Sequence, residues 1–123
     1  MSDKFATGMK VRRKVLGDAH VDRAEANKTA LDTPFQTLIT EAAWGTVWAS
    51  DAISLRERSM LTLALLAATG NFDEVPMHIR ATANTGASQE DVMEVFQHVA
   101  IYCGVPKANH AIKLAKQTFA EMG

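Results

Sequence analysis

The stretch SQEDVMEVFQHVAIYCG, residues 88–104, has the clearest pattern in the chain. Its apolar residues recur at the i, i+3, i+4, i+7 and i+10 spacing of one helical stripe, namely Val92, Val95, Phe96, Val99 and Tyr102. Ser88 and Asp91 have the spacing of a capping box, and Gly104 is a typical helix stop. The stretch therefore predicts an amphipathic helix that buries one face.

The segment before it, SLRERSMLTLALLAATG at residues 54–70, has a similar organisation. Ser54 and Glu57 predict a second capping box, and Gly70 ends the segment. Residues 60–68 are apolar on nearly every side, which predicts a helix that is buried all round. Because few other elements are available to cover such a helix, part of its surface is expected to contact a second subunit.

The rest of the sequence also contains helix start and stop signals, and it has no alternating pattern of the kind that predicts strands. The first dozen residues predict an arm or a short helix. Pro34 and Pro106 stand near the first position of two further helices. Helices are predicted at about residues 18–30, 34–50, 73–85 and 106–121. The fold class is therefore all-α, a bundle of six or seven helices in a single domain over residues 1–123.

The length, charge and cysteine content of the chain argue against several classes of protein, including nucleic-acid-binding, membrane-spanning and disulfide-bonded ones. A chain of 123 residues with a net charge of −1 has one core and no basic field that would attract nucleic acid or an anionic membrane. The longest apolar run is about half a bilayer span, and no signal peptide is recognisable. Cys103 is the lone cysteine, so no internal disulfide forms, and we expect it to be a small buried side chain. These features predict a soluble, cytoplasmic protein.

Glu74 and His78 are the first candidates for chemistry. They are four residues apart, so on a helix they share a face, and the carboxylate can orient or charge the imidazole for proton transfer. The alternative is an ordinary solvated ion pair. Arg80 lies about 200° round an ideal helix from His78, so the two converge only if the helix lies between two lined spaces or a neighbour closes over it.

The next helix repeats the same spacing with Glu94, His98 and Tyr102. On a helix these three side chains form a column along one face. The column either lines a functional site, or its two rings pack against the protein while their polar atoms form hydrogen bonds. A metal ion held by Glu74, His78 and His98 is conceivable. However, the sequence contains no HExxH motif, and we predict no metal site.

Two further pairs have a chemical or a packing interpretation. Arg56 and Arg58 stand in the first turn of the apolar helix, where cations are poorly placed for the helix dipole, so an anion-binding role is predicted for them. Trp44 and Trp48 are four residues apart, a spacing more typical of core or subunit interface than of a ligand platform.

Four motifs carry a resemblance to a known family: WGTVW, RERSMLTLALLAATG, EVPMHIRATANTG and YCGVPKAN, all between Trp44 and Asn109. In this order they resemble the carboxymuconolactone decarboxylase family. The resemblance implies an alkylhydroperoxidase-like helical fold and dimers that often assemble into hexamers. It also implies cofactor-free decarboxylation of 4-carboxymuconolactone to 3-oxoadipate enol-lactone, a step of aromatic catabolism in the 3-oxoadipate pathway.

The sequence departs from the family's patterns at two places. Peroxidase relatives carry a CxxC pair before the histidine that matches His78, whereas this chain has no thiol between Asn71 and Glu74. The departure supports the lyase branch, because peroxide reduction needs those thiols. Decarboxylase members carry an Arg-Pro pair after the second tryptophan, where this chain has Ser50 and Asp51.

The reaction that the resemblance implies needs a cation for a substrate carboxylate, donors for the developing oxyanion and an acid. Arg58 and Arg80 are expected to bind substrate anions. His78 with Glu74 is expected to deliver the proton. His98 and Tyr102 are assigned to the oxyanion or the pocket wall. The alternatives are a scaffold without CxxC that binds a small ligand or partner, and a lyase for a different lactone.

Overall fold

A computed structural model describes residues 3–123, and all regular structure within that range is helical. A π-helical segment, Thr40–Val47, continues the third α-helix, and a 3-10 turn, Phe72–Glu74, precedes the fifth. The α-helices of the described range are α1 Asp3–Leu16, α2 Asp18–Asn27, α3 Thr33–Ile39, α4 Leu55–Thr69, α5 Val75–Thr85, α6 Gln89–Cys103 and α7 Val105–Met122. The predicted all-α class is confirmed. None of these helices is long and apolar enough to cross a membrane.

The chain divides into two compact units, an N-terminal unit that ends at Ser54 and a C-terminal unit, Leu55–Gly123. The assignment of residues 1–123 to one domain stays a prediction. The first dozen residues, expected as an arm or a short helix, belong mostly to the 14-residue helix α1. The predicted helix at residues 34–50 is α3 with the π-helical segment, and it stops at Val47.

In the N-terminal unit, α1 packs closely against the π-helical segment. A Cβ atom on Gly8 would lie 2.1 Å from the carbonyl oxygen of Thr40, so only glycine permits this approach. Trp44 and Trp48 are both buried, and their ring centroids lie 5.0 Å apart. The tryptophan pair is therefore part of the core, as its spacing predicted.

In the C-terminal unit, α4, α5, α6 and α7 surround one apolar core. The capping box that starts α6 is confirmed: Ser88 Oγ accepts from the Asp91 amide at 3.0 Å, and Asp91 Oδ2 accepts from the Ser88 amide at 2.9 Å. The first four members of the α6 stripe are buried. Tyr102, the fifth member, is 76% exposed, so the stripe ends one turn earlier than predicted.

The predicted all-round burial of α4 is wrong for the described residues. Leu63 and Ala67 are fully buried, whereas Leu61 is 53% and Leu65 is 63% exposed. The physical reason is that α5, α6 and α7 cover only one side of α4. The exposed side retains an apolar face, and contact of this face with a second subunit stays a prediction.

Candidate functional site

His78 lies on α5 and is 7% exposed. Pro76 stands in the first turn of α5, where its missing N–H has no cost. Val75 and Ile79 are fully buried and fix the helix to the core, and this places the imidazole inside the protein. A histidine side chain can both donate and accept a proton, so this position inside the protein suits proton transfer.

Glu74 does not form the ion pair with His78 that the four-residue spacing predicted. It is the last residue of the 3-10 turn and the N-cap of α5, so it does not continue the α-helical geometry. Its side chain is exposed and bonds no other residue within 3–123. The spacing of side chains on a shared face applies only within a continuous helix.

Arg80 points away from His78, as the helical angle between them suggested. Its guanidinium is exposed and donates to the carboxylate of Glu121 on α7. The structure therefore does not bring Arg80 and His78 together. The arginine also already has a carboxylate partner, so a substrate anion would have to compete with Glu121.

His98 and Tyr102 form the predicted column on α6, and it lies on the surface. Their rings stack with centroids 4.8 Å apart and an angle of 27° between the planes. Both side chains and Glu94 are exposed. Cys103, expected to be buried, is also exposed, because it lies at the end of α6 beyond the buried stripe. The structure does not bring this column together with His78.

The two arginines at the start of α4 have different surroundings. Arg56 makes two hydrogen bonds of 2.8 and 2.6 Å to the Asp91 carboxylate. These bonds hold the pKa of Asp91 well below its usual range, and the backbone amide of Ser88 contributes in the same direction. Arg56 is thus engaged within the protein rather than open to an external anion. Arg58 is half-buried, and its anion-binding role stays a prediction.

A buried hydroxyl pair joins the helices that carry Arg58 and His78. Ser59 Oγ and Thr85 Oγ1 lie 2.7 Å apart, and Ser59 is fully buried. The bond fixes the first turns of α4 to the last turn of α5. Sequence reasoning missed this pair, because a long-range hydroxyl bond has no periodic signal.

The predicted site residues form no metal-binding cluster within the described part of the chain. No three His, Cys, Asp or Glu side chains there are placed to hold a metal ion. Two open depressions of about 410 and 370 Å³ lie along α7 and share Lys116. None of the predicted site residues lines either depression.

Comparison with known proteins identifies related sequences. Residues 33–117 match the carboxymuconolactone decarboxylase family. A 4-carboxymuconolactone decarboxylase of Acinetobacter baylyi is 36% identical over 120 residues, which cover 98% of this chain and 90% of that protein. A nitrosuccinic acid decarboxylase of Metarhizium robertsii is 38% identical over 118 residues, covering 96% of this chain and 82% of the relative.

A shorter match is found in Pseudomonas putida. Its 4-carboxymuconolactone decarboxylase is 48% identical over 42 residues, which cover 34% of this chain and 88% of that sequence. All three relatives are decarboxylases by name, and two of them match nearly the whole chain described above.

Proposed function

Because this chain belongs to the carboxymuconolactone decarboxylase family and is a carboxy-lyase, we propose that its substrate is 4-carboxymuconolactone. The product is 3-oxoadipate enol-lactone, and the reaction belongs to aromatic catabolism through the 3-oxoadipate pathway. The observation that carries the proposal is the similarity to the Acinetobacter baylyi enzyme over 98% of the chain.

The substrate itself supplies the electron sink for this reaction. The departing carboxylate sits on the γ carbon of an unsaturated lactone. When CO2 leaves, the electron pair of the broken C–C bond delocalises through the double bond onto the lactone carbonyl oxygen. A proton then adds at the α carbon. The protein has to bind the remaining carboxylate, stabilise the dienolate oxygen and supply the proton, and no cofactor is required.

One buried and one half-buried residue are assigned the chemical roles in this proposal. His78 delivers the proton, because it is the buried titratable group on α5. Arg58, half-buried near the start of α4, binds a substrate anion. The other four predicted site residues are exposed, namely Glu74, Arg80, His98 and Tyr102. They contribute to substrate binding or proton transfer only where a second copy of the chain covers them.

Nitrosuccinate is the second candidate substrate, and the Metarhizium robertsii relative favours it. The two compounds share a succinate backbone, in which the leaving carboxylate is on the carbon next to a CH2–carboxylate group. In nitrosuccinate the nitro group accepts the electron pair as a nitronate, in place of the lactone. The same protein groups serve either substrate: a cation for the retained carboxylate, donors for an oxyanion and an acid.

The test is CO2 release by the purified protein from each compound, with and without a chelator. We expect a higher kcat/KM for 4-carboxymuconolactone and no loss on chelation. The reverse order of kcat/KM would assign the chain to the second candidate. No CO2 from either compound would reject both substrates, and loss of activity on chelation that a divalent ion restores would reject the cofactor-free mechanism.

We propose further that the protein works in the cytoplasm as a homo-oligomer built from dimers, with a hexamer as the expected form. The exposed apolar face of α4, with Leu61 and Leu65, supports contact with a second copy. Light scattering at micromolar concentration is expected to give a dimer or a larger species. A monomer across that range would contradict the proposal.

A further inference from the structure

Arg12, on α1 in the N-terminal unit, is a buried cation that its own surroundings do not fully satisfy. It is 7% exposed, and its Nη1 atom lies 3.5 Å from Oε1 of Glu25 on α2. That contact is an ion pair without hydrogen-bond geometry, and Nη1 has no hydrogen-bond partner among residues 3–123. An arginine stays charged at every accessible pH, so this donor cannot escape its desolvation cost by losing a proton.

Glu25, the one carboxylate that pairs with Arg12 among residues 3–123, is shared with a second cation. Lys28 Nζ donates to Oε2 of Glu25 at 2.7 Å, a shorter contact than that of Arg12. The cluster of Arg12, Glu25 and Lys28 therefore holds two positive charges and one negative charge. Since the closer bond goes to Lys28, the uncompensated charge falls mainly on the buried guanidinium.

Arg13, the next residue, is less buried than Arg12 but has more carboxylate partners. It is more exposed, with a side chain at 34% of its full exposure, and its Nη1 atom contacts both Asp18 at 3.1 Å and Asp22 at 2.9 Å. A buried charged group that lacks an oppositely charged partner destabilises the protein more than an exposed one does, because burial removes the charge from water. The half-buried Arg13 thus contacts two carboxylates, whereas the buried Arg12 shares one carboxylate with Lys28.

We infer that Arg12 anchors a binding site for a small organic carboxylate in the N-terminal unit. A carboxylate at Nη1 would supply the missing acceptor and make the cluster electrically neutral. The Glu25 and Lys28 side chains are 29% and 26% exposed, so the cluster reaches solvent on their side. The ligand belongs to the same chemical class as the substrates considered above, but its binding is measurable without turnover.

The test follows the arginine side chains themselves. Protein labelled with 15N-arginine is titrated with succinate in a carboxylate-free buffer, and the Nε–H resonances are recorded. The spectrum of Arg12→Gln, or of Arg12→Lys if the first variant does not fold, assigns the Arg12 signal. Arg13→Gln assigns the control signal. We expect a saturable shift of the Arg12 signal at millimolar succinate and no comparable shift of the Arg13 signal.

The variant Glu25→Gln sharpens the test, because it removes the carboxylate that repels the ligand. Its Arg12 signal should saturate at about a tenfold lower succinate concentration. An Arg12 signal that does not move, or that moves in step with Arg13, would mean that water alone satisfies Nη1 and would overturn the inference. A shift that follows protein concentration instead of succinate would assign the carboxylate to another copy of the chain, and it too would overturn it.

Discussion

His78 and His98 each stand four residues after a glutamate, yet His78 is 7% exposed on α5 whereas His98 lies on the surface of α6. The glutamates differ as well. Glu74 ends a 3-10 turn before α5 begins, and Glu94 is an exposed residue within α6. The same spacing therefore has two outcomes. In α5 the histidine is buried and Glu74 does not pair with it, whereas in α6 both Glu94 and His98 are exposed to solvent.

The difference arises from the faces that the two helices bury. Helix α5 packs between α4 and α7, and six of its eleven residues are buried, so a histidine next to Ile79 has little access to water. Helix α6 buries one stripe, which includes Phe96 and Val99, and His98 lies off that stripe. Spacing decides which side chains share a face, and packing decides whether that face is buried.

The largest expected effect separates the two histidines by their chemistry. His78→Gln should lower kcat on the substrate that wild type turns over by about a hundred- to ten-thousand-fold, because glutamine keeps hydrogen-bonding capacity but is no acid near neutral pH. The same change at the exposed His98 should lower kcat far less, because His98 has only a supporting role, and only where a second copy covers it. Steady-state kinetics of both variants gives the comparison, and circular dichroism checks that helix content is unchanged.

Two outcomes would break this contrast between the histidines. Full activity of His78→Gln would show that the proton comes from another group. A large loss in His98→Gln would show that the α6 column reaches the substrate in the assembled protein, where a second copy covers it.

A second comparison lies within α6, between its buried stripe and its exposed end. Phe96 is fully buried, so Phe96→Ala should lower the free energy of unfolding by about 3–5 kcal/mol, through lost burial and the cavity left behind. Ile101 is 79% exposed, so Ile101→Ala should change it by about 0.5 kcal/mol or less. Urea denaturation measures both variants. A loss at Ile101 near that at Phe96 would indicate that a partner covers this end of α6.

The smallest effect concerns the way the two helices begin. Helix α5 has no side-chain cap, whereas α6 begins with the capping box whose Asp91 also binds Arg56. Because Arg56 lowers the pKa of Asp91 in the folded state, the ion pair stabilises the protein above the unfolded-state pKa, about 4. That contribution is lost as pH falls below this value toward the lower folded-state pKa.

Asp91→Asn should therefore have a lower Tm than wild type at neutral pH, and the difference should narrow progressively below about pH 4. Glu94→Gln is the matched control on the same helix, since Glu94 is exposed and has no ion pair within residues 3–123. Its Tm difference from wild type should change little over the same pH range. A constant difference for Asp91→Asn would show that the ion pair contributes nothing to stability.

Local signals in the sequence were sufficient for the helices and the family. The capping box at Ser88, the prolines at Pro34 and Pro106 and the periodic stripe of α6 act within one or two helical turns, so they predict the elements without knowledge of their neighbours. The order of the four motifs was sufficient to indicate the family, to which residues 33–117 belong.

Only the tertiary structure decided which residues are buried and which charges are already paired. Leu65 and Cys103 lie exposed because no described helix covers them, and the apolar character of a side chain does not reveal this. Arg80 and Arg56 are paired with Glu121 and Asp91, acids that lie 41 and 35 positions further along the chain. Such pairs depend on the packing of whole helices, so a pattern within one helix cannot predict them.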